Sequence, residues 1–167
     1  FIAVSEFTKS DLQKFLNIPE EKISVIYSGI HSSFRAIDKK SDSLRDFRSK
    51  HKLNRPFILY LGTLEPRKNI PALIRAFDLL MSHPDFSDFE LVLAGKIGWL
   101  SKELFREVSR ARSKNSIRFW GSPMSDERVL LYNSAEIFAY PAFFEGFGFQ
   151  PLEAQACVVP VVASNRT

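Results

Sequence analysis

The chain has 167 residues, 45% of them hydrophobic and 25% charged, with a formal net charge of +4. Those proportions suit one globular domain and exclude collagen-like, low-complexity and strongly acidic classes; no apolar run approaches the roughly 18 residues of a bilayer helix. A single cysteine, Cys157, excludes an internal disulfide and a cysteine-based zinc site.

In chain order, FIAV (1–4) reads as a strand followed by a loop, and ISVIY (23–27) as a second strand. Residues 32–55 are polar and charged, a connector holding one short helix. FILYLG (57–62) is a strand, and the helix after it takes Asn69 as cap and Pro71 in its first turn, with Ile70, Leu73, Ile74, Phe77, Leu80 and Met81 at helical spacing. ELVLAG (90–95), IRFWG (117–121), IFAYP (137–141) and VPVVAS (159–164) are further strands. Helices within 99–114, over 125–135 with Ser125 as N-cap, and from Pro151 onward separate them. Several strands are apolar at consecutive positions, as strands covered on both faces must be. Strand and helix alternate, which predicts an α/β domain with a parallel sheet and crossover helices, and 16 phenylalanines predict an aromatic interior. Both ends fall inside regular elements, so 1–167 reads as a single domain cut from a longer polypeptide.

Open parallel sheets bind ligands beyond the C-terminal ends of their strands. GTLEPRKN (62–69) sets Arg67 and Lys68 before a helix N-terminus, a place suited to diphosphate. FEGFGFQPLE (144–153) sets Gly146 and Gly148, able to adopt positive φ and open their amides, between Glu145 and Glu153. Carboxylates accept well from vicinal hydroxyls, so a sugar or ribose is the ligand this pairing predicts, both acids converging on one cleft opposite the two cations. Acids that point apart, or one sealed in an interior ion pair, would overturn the transferase reading so far as it rests on this convergence. The bland alternative is a tight turn with surface glutamates and a solvated Arg-Lys pair.

EGFGFQPLEAQACVVPVVAS (145–164) resembles the E-x7-E segment of retaining glycosyltransferases of family 4, which have the GT-B fold of two Rossmann-like domains. YPAFFEGFG, GTLEPRKN and VSEFTKSDL resemble the same family's C-terminal half, in the right order. The resemblance implies a Rossmann-like parallel sheet with helices on both faces, the donor-binding half of a two-domain chain. It implies transfer of a hexose from a nucleoside-diphosphate sugar to an acceptor glycan or lipid-linked saccharide, with retention and without a metal. By the same resemblance Glu145 is the catalytic residue near the donor sugar, orienting it or stabilising positive charge at its anomeric carbon, and Glu153 takes the ribose hydroxyls. Gly62, Thr63, Arg67 and Lys68 would surround the diphosphate, and the amides around Gly146, Phe147, Gly148 and Phe149 the sugar. Thr63 stands where the family often has Arg; Arg67 then supplies that charge, as in a subgroup containing mannosyltransferases, which points to GDP-mannose. Val158 replaces the usual glycine after the cysteine, leaving the helix to close without it, and Gln155 replaces the usual Met. The implied setting is the cytoplasm, at the inner membrane face. This piece alone is expected to bind nucleotide weakly and to turn over nothing.

Other residues carry weaker readings. His31, His51 and His83 lack metal-ligand spacing and read as surface residues. Cys157 reads as a small core residue. Trp120 packs in the core or stacks near a base, Trp99 borders the cleft or shields a helix start, and Lys96 is a second phosphate candidate. The basic stretch 102–114 reads as a solvated face, with membrane-surface contact as the minority reading. No Asp-x-Asp pair offers a metal–diphosphate clamp. Nucleic acid is not the expected partner. A non-catalytic nucleotide-binding module is the alternative to an enzyme.

Overall fold

The computed structural model describes residues 1–166, so the last residue of the expected 1–167 domain lies outside the described residues. In chain order the elements are β1 (Ile2–Ala3), α1 (Glu6–Leu16), β2 (Ser24–Val25), α2 (Asp42–Lys50), β3 (Phe57–Leu61), α3 (Ile70–Leu80) and β4 (Glu90–Ala94). They continue as α4 (Lys102–Arg110), β5 (Ile117–Gly121), α5 (Ser125–Ser134), β6 (Ile137–Tyr140), α6 (Phe149–Ala156) and β7 (Val161–Ala163). Five strands form one sheet in the order β5-β4-β3-β6-β7, every pairing parallel. All five residues of β3 are buried, as its unbroken apolar run demands. Right-handed crossovers then place α3 and α4 on one face and α5 and α6 on the other. The α/β expectation with helices on both faces is met.

Four details differ from the sequence expectations. The two N-terminal strands do not join the main sheet; β1 and β2 pair with each other in a separate two-stranded ladder. The loop expected after FIAV is instead helix α1, whose Ser5 cap accepts from the Thr8 amide at 3.0 Å. Met124, not Ser125, caps α5; Glu127 reaches back to accept from the Met124 amide at 3.1 Å. Helix α6 starts at Phe149, ahead of Pro151, because Gly148 adopts φ 83° and turns the chain into the helix.

The interior is less rich in phenylalanine than composition implies. Phe47, Phe57, Phe77 and Phe138 are buried, while Phe1, Phe15, Phe105, Phe119, Phe143, Phe144 and Phe149 stand exposed. Aliphatic side chains of the strands and α3, with Tyr60 and Tyr132, fill most of the remaining core.

Helix α6 does close without its glycine, and by an unexpected route. Val158 itself takes the left-handed conformation, φ 58°, so that Val159 donates to the Ala154 carbonyl at 3.0 Å. A β-branched residue is strained there, and its side chain points into solvent.

Candidate active site

The strand order reverses between β3 and β6, the place where an open α/β sheet parts its loops into a crevice. From β3 the chain runs through 62–69; from β6 it runs through 141–148. The first loop is held by continuation of the ladder: Gly62 donates to Ala94 at 2.9 Å and Leu64 to Lys96 at 2.8 Å. Gly62 and Gly95 meet backbone to backbone there, and a β-carbon on Gly95 would lie 1.9 Å from the Gly62 carbonyl oxygen. Thr63 accepts from the Tyr60 hydroxyl through its carbonyl at 3.0 Å. Gly62 and Thr63 therefore build the loop and line neither of the cavities described below. Lys96 serves that ladder through its carbonyl.

A turn at Pro66–Lys68 then aims Arg67 and Lys68 at the β6 loop. Lys68 is only 3% exposed; its Nζ donates to the Tyr140 hydroxyl at 3.0 Å and to the Glu145 carboxylate. Arg67 reaches the same Glu145 oxygen through Nη1 at 2.8 Å and Glu65 through Nε at 2.6 Å. Phe143 donates to the Arg67 carbonyl at 2.8 Å, which locks the two loops together. Burial pushes the Glu145 carboxyl up, but hydrogen bonds from Lys68 and Arg67 outweigh it and hold the group below the ordinary carboxylate range. Glu145 is thus a fixed anion, unsuited to donating a proton near neutral pH. Burial also pushes the Tyr140 phenol well up, so it remains a hydroxyl; it donates to Gln150 at 3.1 Å.

Glu153 is placed differently. Arg128 Nη2 donates to both of its oxygens, at 2.7 and 2.6 Å, and the Tyr132 hydroxyl donates to Oε2 at 2.8 Å. The expected convergence of the two acids over one pocket does not occur. Glu145 lines a cavity of about 540 Å³ with Tyr27, Tyr140, Phe147, Gly148 and Leu152. Glu153 lines another of about 430 Å³ with Gly29, Phe34, Asp126, Arg128 and Phe149. The physical reason is helical phase: α6 runs between the two, with Gly148 and Leu152 facing one cavity and Phe149 and Glu153 the other. Glu153 is itself buried, 6% exposed, in an ion pair with Arg128, so the spatial arrangement expected from the sequence fails for this acid too; the pair meets the cavity through Arg128, whose side chain is 29% exposed.

The glycine loop is anchored from a distance. The Gly146 carbonyl accepts from Ser5 Oγ at 2.5 Å and Thr8 Oγ1 at 3.1 Å. Of the two glycines only Gly148 has positive φ. The first amides of α6 follow it at the boundary between the cavities, where a helix N-terminus favours an anion.

Sequence reasoning missed Tyr27, Arg128, Tyr132 and Tyr140. Spacing could have signalled Arg128 and Tyr132, which stand one helical turn apart on α5. Trp120 packs on Phe47 and His51, ring centroids at 5.8 and 4.8 Å, away from both cavities. His51 is thereby half-buried rather than a surface residue. Trp99 donates to Glu65 at 3.2 Å, the carboxylate that also pairs with Arg67, and lines neither cavity. Burial of Cys157 pushes its thiol up to about 11, as befits a core residue. Among the described residues no helix is long and apolar enough to cross a membrane.

A family model described as "Glycosyl transferases group 1" matches residues 42–167. This chain belongs to the group 1 glycosyltransferases. It is 35% identical to O-antigen chain mannosyltransferase B of Escherichia coli over 99% of this chain, but over only 43% of that protein. A crystal structure of a glycosyltransferase from Rickettsia africae superposes with a TM-score of 0.84 at 27% identity, covering 98% of this chain and 44% of that one. Anabaena HepE in complex with UDP-glucose superposes with a TM-score of 0.83 at 23% identity, over the same shares of the two chains. The domain's fold neighbours are GT-B glycosyltransferases, and this chain spans under half the length of these three relatives.

Proposed function

We propose that this domain binds a nucleoside-diphosphate hexose and serves a retaining hexosyltransferase built from two domains. One observation carries the reading: two cavities flank the N-terminus of α6, the helix that follows β6, one lined by Glu153 and the other by Glu145. The nucleoside occupies the Glu153 cavity, its ribose hydroxyls facing the carboxylate. The hexose occupies the Glu145 cavity, beside Tyr27 and Phe147. The diphosphate crosses between them at the first amides of α6, with Arg67, whose side chain is partly exposed, as the nearer cation. Lys68 acts through Glu145: two of its three N–H groups are already engaged, and phosphate could share only the third.

The anomeric carbon gains positive charge as its bond to the diphosphate oxygen breaks and a bond to the acceptor oxygen forms, the acceptor's proton passing to the departing diphosphate oxygen. A carboxylate kept ionised beside that carbon stabilises the charge, and the fixed dipoles around it need no reorganisation. Diphosphate charge is met by side chains and helix amides, so the reading calls for no metal. The likeness to an O-antigen mannosyltransferase and the EPRKN loop both favour mannose from GDP-mannose. The acceptor is a glycan or lipid-linked saccharide, reached in the cytoplasm at the inner membrane face.

The test is product analysis by mass spectrometry and anomeric NMR, using the intact protein with a panel of nucleotide sugars. Mannosyl transfer from GDP-mannose with the donor's anomeric configuration kept is expected. Inversion, or nucleotide binding that ignores the sugar and yields no product with any donor, would refute the proposal.

A further inference from the structure

A carboxylate whose acceptor positions are taken cannot receive a ligand's hydroxyls until a donor leaves. Glu153 is one position short of that condition. Its Oε1 accepts once, from Arg128, and its Oε2 accepts twice, from Arg128 and Tyr132. With two lone pairs on each oxygen, only one position remains, on Oε1, whereas a ribose diol brings two O–H donors.

The two resident donors are unequally held. Tyr132 is fully buried, its ring packed against Phe34 and Phe138 with centroids at 6.0 and 5.4 Å. Burial, reinforced by Glu153 itself, pushes its phenol well up, so it stays a hydroxyl donor. Arg128 stands at the cavity wall, its guanidinium 5.4 Å from the Phe34 ring centroid and its Nε without a hydrogen-bond partner among the described residues. Both bonds that it makes to Glu153 come from one nitrogen, Nη2, so a single side-chain rotation breaks them together. Leaving a buried carboxylate without its hydrogen-bond donors is costly unless others replace them at the same moment. A diol does so, and the displaced guanidinium stays in the same cavity.

We propose that Arg128 is a latch on Glu153: it fills the acceptor positions that the ribose diol uses, and nucleotide entry exchanges guanidinium for hydroxyls while Tyr132 stays in place. The idea rests on the donor-binding reading and deepens it, since it makes ribose recognition a displacement. Arg128 is a positioning residue in this scheme, and its release sets the speed of nucleotide capture.

Stopped-flow binding of GDP and UDP, each against its 2′-deoxy analogue, tests this in the intact protein. The unaltered protein should give an observed rate that saturates with nucleotide concentration, because latch release limits it. Arg128→Met should bind at least about tenfold faster, the factor of a 1.4 kcal/mol lower barrier, with a rate linear in concentration. It should still prefer the ribonucleotide. Arg128→Lys, which offers a point charge in place of a fork, should fall between. Association by Arg128→Met that is unchanged or slower would overturn the latch, as would loss of its ribose preference, which would mean that Arg128 orients Glu153. Should Arg128→Met fail to fold, a crystal structure of the unaltered protein with GDP decides. Nη2 must have left at least one Glu153 oxygen, and an unmoved guanidinium would refute the exchange. Failure of the unaltered protein to bind either nucleotide would sink the donor-binding reading itself, and the latch with it; binding without acceleration sinks the latch alone.

Discussion

Glu145→Ala is expected to lower turnover by about 10²- to 10³-fold, the usual effect of removing one preorganised group from a charge-developing transition state. It should also destabilise the domain. Without Glu145, the buried Lys68 ammonium keeps only the Tyr140 hydroxyl as partner and faces Arg67 at close range. Breaking a buried pair on one side costs about 3–5 kcal/mol, and the low end applies because Arg67 remains partly in solvent. For a domain of this size that is a fall in melting temperature of about 6–12 °C. Glu145→Gln should restore much of the stability, since its amide oxygen still accepts from Lys68, but not the rate. Glu145→Ala combined with Lys68→Met should likewise regain stability, because no uncompensated charge is left inside. The sign of the pH effect follows from the depressed carboxyl. With a folded value below the unfolded one, Glu145 contributes stability at pH above the unfolded value of about 4.3, lost as pH falls through the lower folded value. Unfolding followed from pH 6 to pH 3 should therefore show a shallower acid limb in Glu145→Gln. A full rate in Glu145→Ala, or an unchanged acid limb in Glu145→Gln, would contradict this account of the residue.

The second large effect is expected far from any substrate. Gly95→Ala would put a β-carbon 1.9 Å from the Gly62 carbonyl oxygen and 2.7 Å from its carbon, at a backbone φ of 142° that non-glycine residues rarely adopt. The obstacle is backbone, not the end of a flexible side chain, so the loops after β3 and β4 must separate. Overpacking and φ strain together come to about 3 kcal/mol or more. The loop that moves is the one carrying Arg67 and Lys68, so nucleotide affinity should fall along with stability. Gly121→Ala is the matched control: its φ is also positive, but no atom lies within 4 Å of the added carbon. Thermal denaturation of the two variants side by side checks the claim; equal losses would show that the close approach of Gly62 and Gly95 does not matter.

How far the sequence revealed all this depended on whether neighbours along the chain or across it did the work. β3 and β4 were legible because burial on both faces leaves a continuous apolar run. α3 was legible because its buried Leu73, Ile74 and Phe77 follow helical spacing. α1 was not, since none of its residues is buried and its role is to anchor Gly146 through Ser5 and Thr8. The two N-terminal runs looked like members of the main sheet, yet a strand's partner is chosen by tertiary packing that no local pattern records.

The site divides in the same way. Arg67, Lys68, Glu145 and the turn at Gly148 could be placed because they stand at strand ends beside loop signals. That Lys68 would turn inward to Glu145 could not, because the pair forms only when the β6 loop folds over the β3 loop, 77 residues apart in sequence. The expected union of Glu145 and Glu153 failed on helix geometry: with seven residues between them and a helix start at Phe149, they emerge on different sides of α6. Arg128 shares a face of α5 with Tyr132, but nothing local ties that face to a partner 25 residues away.

The central claim is that one donor spans both cavities, nucleoside against Glu153 and sugar against Glu145. A crystal structure of the protein with GDP-mannose tests it most directly. The prediction is ribose oxygens within about 3.2 Å of the Glu153 carboxylate, diphosphate at the first amides of α6, and the hexose beside Glu145. A nucleotide seated instead in the separate cavity between the 64–71 segment and α4, lined by Glu65, Arg75 and Leu100, would contradict it.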